Sequence, residues 1–342
     1  MLTSAAVSAP SLETLETLLN VTYTWGYQDT RAKLRDLYDK ATRAQWQSEL
    51  VLPWHLSPDL EAPMGPPELM PLFGSDIWNR LDARAQTAIN LETSAWTLSQ
   101  FLHGEQGALL AAAQLVDSVT DLDSKLYGAT QVVDEARHVD VYNRYLHEKI
   151  GFAYPVNPHL KTLLDMILKD SRWDMKFLGM QIMVEGLALA AFAMIRMNTP
   201  DPLLRELTAY VMGDEARHVA FGVLSLRDYY REQPEAVRRE REDFVFEAAR
   251  LMRDRFLFQE VWEKTGLPVA ACMEIALHNQ GQVMFRQLLF AKIVPAIKKM
   301  DLLSDRQRAR FAELGILQFE HAPDPFEELE REEAAAGRRA NT

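Results

Sequence analysis

Apolar positions recur at helical spacing along most of the chain, and no segment carries the sustained alternation of a half-buried strand. Ser75-Asp76 supplies an N-cap, and the spacing predicts a first long helix from Ile77 to about Val116. Asp121 opens a second, which runs to about Lys149 before Gly151, Pro155 and Pro158 stop it. A third spans roughly His159 to Met197. The breaker Asn198-Thr199-Pro200-Asp201-Pro202 then caps a fourth that reaches about Arg231. Pro234 and Pro268 divide further helical segments at about 235–265 and 268–298. Ahead of these lie short helical patterns such as Ala32 to Trp46 and a proline-rich passage from Pro53 to Pro71, which read as an arm laid over the bundle. The expectation is an all-α chain with an N-terminal arm (1–75), a four-helix bundle with additional helices (76–300) and a polar, charged tail (301–342), most polar from Ala322 onward.

Composition narrows the function more than the fold. The 342 residues are 48% hydrophobic, enough for one large core. A net charge of −12 without a basic stripe argues against nucleic acid and anionic membranes. A single cysteine, Cys272, rules out an intramolecular disulfide and fits a reducing compartment, so the cytoplasm is the expected location. The first twenty residues lack a basic start followed by an apolar stretch, and the most apolar run, Gly186 to Ile195, is too short to cross a bilayer.

One repeat supplies the chemistry. Asp134-Glu135-Ala136-Arg137-His138-Val139 recurs letter for letter as Asp214-Glu215-Ala216-Arg217-His218-Val219. Residues three apart share a helix face about 4.5 Å apart along the axis, so each Glu and its His can grip one ion. A glutamate also stands thirty residues before each motif, Glu105 before Glu135 and Glu185 before Glu215. That interval suits half a helix, a short turn and half of the returning helix, giving two helical hairpins. Facing each other, they gather four carboxylates and two imidazoles, the arrangement of di-iron and di-manganese carboxylate bundles.

A lone Glu-x-x-His is weak evidence, because both residues are common on exposed helices. Here the pairs sit among Val132, Val133, Val139 and Val141, and among Val211, Met212, Val219 and Phe221, where an uncompensated carboxylate is costly. The competing reading is a set of buried ion pairs with Arg137 and Arg217. Glu92 competes with Glu105 on the same helix, and the equal offsets favour Glu105. Four carboxylates and two imidazoles without thiolate suit iron or manganese, whereas structural zinc takes fewer oxygens and more sulfur. Gly104, Gly107, Gly186 and Gly213 flank the candidates and suggest close helix approach, a local bulge or room for a substrate. His103, His147, His159 and His278 read as ordinary core or surface histidines. Met180, Met183, Phe177 and Phe192 read as core whose density permits an apolar pocket.

The doubled Asp-Glu-x-Arg-His pattern with its upstream glutamates resembles the ferritin-like di-iron carboxylate oxygenases. These include acyl-carrier-protein desaturases, multicomponent monooxygenase hydroxylases, p-aminobenzoate N-oxygenases and ribonucleotide reductase small subunits. The resemblance covers about residues 76–231 and is specific for the metal site, not for a substrate. It implies a ferritin-like bundle with Glu105, Glu135, His138, Glu185, Glu215 and His218 as ligands of two irons, or of manganese and iron. It further implies that Asp214 and Asp134 bond the free nitrogens of His138 and His218, with Arg137 and Arg217 neutralising those aspartates. A homodimer and an external electron donor, a protein or a small reductant, are implied likewise.

The chain also departs from these relatives. Ala188 and Leu189 stand where desaturases and many hydroxylases place a threonine, and Val211 stands where the N-oxygenases add a third histidine. Tyr142, four residues after His138, stands where reductase small subunits carry a radical tyrosine, and is equally suited to packing. The expected function is dioxygen activation for hydroxylation, N-oxygenation or desaturation of a small, largely apolar organic substrate. A manganese–iron ligand-binding oxidase and an iron-handling protein are the alternatives.

Overall fold

The computed structural model describes residues 13–28 and 31–323, and among these there are helices and turns but no strand. The N-terminal dozen residues and the end of the expected tail lie outside the described residues. Four long helices form the centre: α2 (Ala83–Ser118), α3 (Leu122–Arg144), α5 (Trp173–Asn198) and α6 (Pro202–Arg231). Helix α1 (Ala32–Arg43) precedes them, and α4 (Pro158–Lys169) connects the two halves. α2 packs along α3, and α5 along α6.

The two hairpins are copies at the level of their ends. α2 stops at Ser118 and α3 starts at Leu122; α5 stops at Asn198 and α6 starts at Pro202, so each connection holds three residues. The last connecting residue caps the returning helix both times. Asp121 accepts the amide of Ser124 at 2.8 Å, and Asp201 accepts that of Leu203 at 3.0 Å. Connections this short force antiparallel packing and set the height at which residues thirty apart meet.

Several boundaries differ from the periodic expectation, each for a local reason. Ser75 caps only the short turn Asp76–Asn79, and the long helix begins after Asp82, whose carboxylate accepts the amide of Ala85 at 2.8 Å. The third helix is broken at Asp170–Arg172. There Asp170 binds both the amide and the guanidinium of Arg172, while Lys176 reaches back to the carbonyls of Ile167 and Leu168, both at 3.3 Å. α5 contains a π-helical stretch, Leu178–Val184, that leads directly into Glu185, and α3 runs on into another, Tyr145–Ile150. Such stretches concentrate near functional sites because they turn the following residues on the helix face.

α5 is long and apolar enough by length and composition to cross a membrane, which its sequence had not suggested, yet 67% of its apolar window is buried inside the protein. It is a core helix. The bundle is wrapped by α1, which packs on α3 and α6, and by later helices starting with α7 (Glu235–Asp254). Residues Arg255–Leu257 form a 3-10 turn ending at Phe258, whose backbone is left-handed at φ 56°. Packed structure continues beyond residue 300 through a helix at Asp305–Glu313, which buries Phe311.

Candidate metal centre

Six side chains converge where the two hairpins face each other. Glu105 projects from α2, Glu135 and His138 from α3, Glu185 from α5, and Glu215 and His218 from α6; all are buried. Their donor atoms fall into two groups, each within 4.8 Å: Glu105, Glu135, His138 and Glu215, and then Glu135, Glu185, Glu215 and His218. Glu135 and Glu215 belong to both. Nδ1 of His138 lies 3.4 Å from Glu105, 3.3 Å from Glu135 and 3.2 Å from Glu215. Nδ1 of His218 lies 3.1 Å from Glu135 and 3.5 Å from Glu215. Glu92 is elsewhere, accepting from the hydroxyl of Tyr154 and from Lys264.

The opposite nitrogens face carboxylates. His138 Nε2 donates to Asp214 at 3.1 Å, and His218 Nε2 to Asp134 at 3.3 Å. This fixes the proton on Nε2 and turns the Nδ1 lone pair inward. Arg137 binds both Asp134 and Asp214, and Arg217 binds Asp214. Two residues of the arm join them. Gln45 donates to Asp134 at 2.7 Å and Trp46 to Asp214 at 2.8 Å, while Arg137 stacks 4.5 Å above the Trp46 ring. Gln131, one turn before Glu135, donates to Glu135 at 3.0 Å and to Glu185 at 2.9 Å, orienting both.

Electrostatics agree with a cluster built around positive charge. Burial and the neighbouring Glu215 push Glu105 well above the usual carboxylate range, and burial with Glu215 and Glu135 does the same to Glu185. Burial opposes the charge of Glu135, but the two imidazoles outweigh it and hold its carboxyl low. Burial likewise works against protonation of His138 and His218, and the surrounding carboxylates overcome it and raise both. Protons are thus shared where cations fit. One oxygen each of Glu135 and Glu185, both oxygens of Glu215, and Nδ1 of both histidines are buried and make no hydrogen bond. Hard oxygen and imidazole donors left open in this way suit a pair of iron or manganese ions.

The chain matches the family model of p-aminobenzoate N-oxygenase AurF over residues 27–301. It belongs to the AurF family. This AurF-family protein is therefore an oxidoreductase with an all-α, ferritin-like fold. No curated protein sequence matches it. Among solved structures it resembles an R2-like ligand-binding oxidase, a point mutant with an anaerobically reconstituted Mn/Fe cofactor. That likeness has a TM-score of 0.51 at 17% identity, over 82% of this chain and 99% of the other. Dimanganese(II)-NrdF of Streptococcus sanguinis matches with a TM-score of 0.51 at 12% identity, over 86% and 99%. Both likenesses concern the fold.

Two cavities lie along the inner helices, and one of them borders the AurF-family centre. A small one, about 20 Å³, touches Glu105, Glu185 and Glu215 and is bordered by Gly104, Ala108, Ala188 and Arg255. A larger apolar one, about 140 Å³, lies further along α2 and α5, bordered by Leu98, Ala191 and Met194 and, from the proline-rich segment, by Met64 and Met70. Phe101 and Phe192, ring centroids 4.6 Å apart, pack on these same two helices. The apolar pocket is therefore set along the bundle axis, and the space directly against the glutamates is small. Met180, Met183, Phe177 and Phe192 are fully buried.

The Tyr142 hydroxyl is buried without a partner, and burial together with Glu105 pushes its ionisation up. Tyr127, on the His218 side, is similarly enclosed. The four remaining histidines considered above stay outside the cluster; His103, for instance, meets the carbonyl of Tyr154 at 2.9 Å. Sequence reasoning missed Gln45, Trp46, Gln131 and Arg255. Gln131 had a signal, since it lies four residues before Glu135 and thus on the same face. The other three come from segments with no periodic relation to the motifs.

Proposed function

We propose that this protein is a dinuclear iron enzyme that activates dioxygen to oxidise a small, largely apolar organic substrate. The reading rests on one observation above all: two buried donor groups share Glu135 and Glu215 and leave their inward atoms without hydrogen bonds. Glu105 and His138 would complete one ion's ligands, Glu185 and His218 the other's, with Glu135 and Glu215 common to both. Bound there, a redox-active pair supplies the two electrons that dioxygen activation requires. Asp214 and Asp134 hold the Nε2 protons, Gln131 holds two carboxylates in place, and the buried helices keep bulk water out. The apolar cavity along α2 and α5 is the place for the substrate. Electrons come from an external protein or small reductant.

Membership of the N-oxygenase family favours oxidation at nitrogen over hydroxylation or desaturation. The departure at Val211 favours a second reading. It is buried on α6 one turn before Glu215, and neither donor group contains a third histidine. A six-ligand set of this kind also suits a manganese–iron ligand-binding oxidase. The deciding experiment is metal content by mass spectrometry on protein expressed with both metals, followed by the optical spectrum when the reduced protein meets dioxygen. Two irons per chain and a transient visible band are expected. One manganese and one iron per chain select the second reading, and zinc or no metal overturns both.

A further inference from the structure

The internal repeat is exact over six residues and breaks one turn ahead of them. Gln131 stands three residues before the first copy, and Val211 holds the same place before the second. Both are buried, on α3 and α6, so the two halves of the cluster meet different chemistry at one equivalent position. Nε2 of Gln131 donates one hydrogen to Oε1 of Glu135 at 3.0 Å and the other to Oε1 of Glu185 at 2.9 Å. Val211 has no polar side-chain atom with which to do the same.

The fork falls on one side of the cluster. Oε1 of Glu135 is the oxygen 3.1 Å from Nδ1 of His218, and Oε2 is the one 3.3 Å from Nδ1 of His138. Gln131 thus holds the Glu135 oxygen on the His218 side together with Glu185 itself. On the His138 side, Oε2 of Glu135 and Oε1 of Glu215 accept no hydrogen bond, and Glu105 meets Nδ1 of His138 at 3.4 Å but, among the described residues, no amide donor. The amide of Gln131 is kept this way round because its own Oε1 accepts from Nε2 of Gln181 at 3.2 Å. Gln181 belongs to the π-helical stretch Leu178–Val184 and packs against Gly222, where an added Cβ would lie 2.7 Å from that of Gln181. The other copy of the repeat carries Tyr142 at that place, four residues after its histidine, so this close approach is open to one half only.

We propose that Gln131 is a positioning residue that makes the two ion sites unequal, so that the Glu185–His218 site binds first and more tightly and the Glu105–His138 site fills second. The proposal rests on the dimetal reading above. A hydrogen bond from outside the ligand set holds a carboxylate in one rotamer before the ion arrives, and loss of such a partner costs about 10- to 100-fold in metal affinity. Glu105 has no such hold and must be ordered by the ion itself. Ordered filling also gives a mixed pair of metals one arrangement in place of two, since the tighter-binding metal takes the Glu185–His218 site.

The test is titration of metal-free wild type, Gln131→Leu and Gln181→Met with manganese(II), read by electron paramagnetic resonance, with helix content checked by circular dichroism. In the wild type the first equivalent gives the hyperfine-split signal of an isolated ion and the second converts it to a coupled pair, the first step being at least about tenfold tighter. Gln131→Leu weakens the first step about 10- to 100-fold and leaves the second unchanged, so that isolated and coupled ions coexist at one equivalent. Gln181→Met, which frees the amide without removing it, weakens the same step by less, and it carries the test if Gln131→Leu does not fold. Glu105→Ala and Glu185→Ala assign the steps: the first keeps the tight one, and the second keeps only the weak one. Equal weakening of both steps in Gln131→Leu would make the glutamine a structural contact and overturns the proposal. An unchanged titration overturns it too, as do cooperative uptake of both ions by the wild type and a tight step lost in Glu105→Ala but kept in Glu185→Ala. A wild type that takes up no manganese overturns the proposal and the dimetal reading together.

Discussion

Trp46 and His138, which belong to the arm and to α3, meet on a single oxygen: Oδ2 of Asp214 accepts the indole N–H at 2.8 Å and the imidazole Nε2 at 3.1 Å. The arm is thereby part of the support of the metal centre, not merely a cover. Trp46→Phe removes one of the donors that hold Asp214. The expected result is metal affinity about 10- to 100-fold weaker and a stability loss of about 1–3 kcal/mol. Metal-competition titration and thermal unfolding check both, and unchanged affinity would mean that Arg137 and Arg217 suffice to fix the aspartate.

The shared and unshared glutamates should behave differently. Glu135→Ala or Glu215→Ala is expected to abolish loading of both ions, since each belongs to both donor groups. Glu105→Ala and Glu185→Ala each weaken one group and are expected to leave about one ion per chain. Helix content measured by circular dichroism stays unchanged, because the other bundle contacts remain. Two ions per chain in the Glu135 and Glu215 variants would falsify the ligand assignment.

Two glycines on one helix should respond oppositely to the same change. A Cβ on Gly104 enters open space, so Gly104→Ala should stabilise by about 0.5–1 kcal/mol through helix propensity while narrowing the small cavity. A Cβ on Gly107 would lie 2.5 Å from Cδ2 of Leu164 on α4, so Gly107→Ala should destabilise by about 1–3 kcal/mol despite the same propensity gain. Denaturant unfolding of the two variants, with an activity assay on the first, makes the comparison.

Metal uptake should depend on pH in one direction. In the metal-free protein the raised pKa values of His138 and His218 contribute stability that is fully present below pH 6.5 and is lost as pH rises through the folded values. Glu105 and Glu185, also raised, add to that loss, because ionising them above pH 4.5 is harder in the folded state. The lowered Glu135 and Asp214 act at the other end, with stability lost only as strong acid protonates them. Metal replaces the shared protons, so loading releases protons and stabilises the protein more at higher pH. Calorimetry in buffers of different ionisation enthalpy measures the release; loading without proton release would show that the ligands were already free.

The sequence alone determined the all-α class, the pairing into two hairpins and the six candidate ligand side chains. Periodicity and an exact internal repeat are local properties, and a thirty-residue interval that leaves room for only a short turn points to antiparallel pairs that bring Glu105 to the height of Glu135 and Glu185 to that of Glu215. The π-helical turn before Glu185 and the break at Asp170 lay beyond its reach, since each reflects hydrogen bonds that compete with the regular ladder by small margins. The tertiary structure alone decided which carboxylates belong to both donor groups, which glycine leaves space and which is filled, and that Gln45 and Trp46 bind the aspartates behind the histidines. Those contacts join segments up to 168 residues apart, as with Trp46 and Asp214, and such proximity is set by how whole helices pack and not by any pattern along the chain.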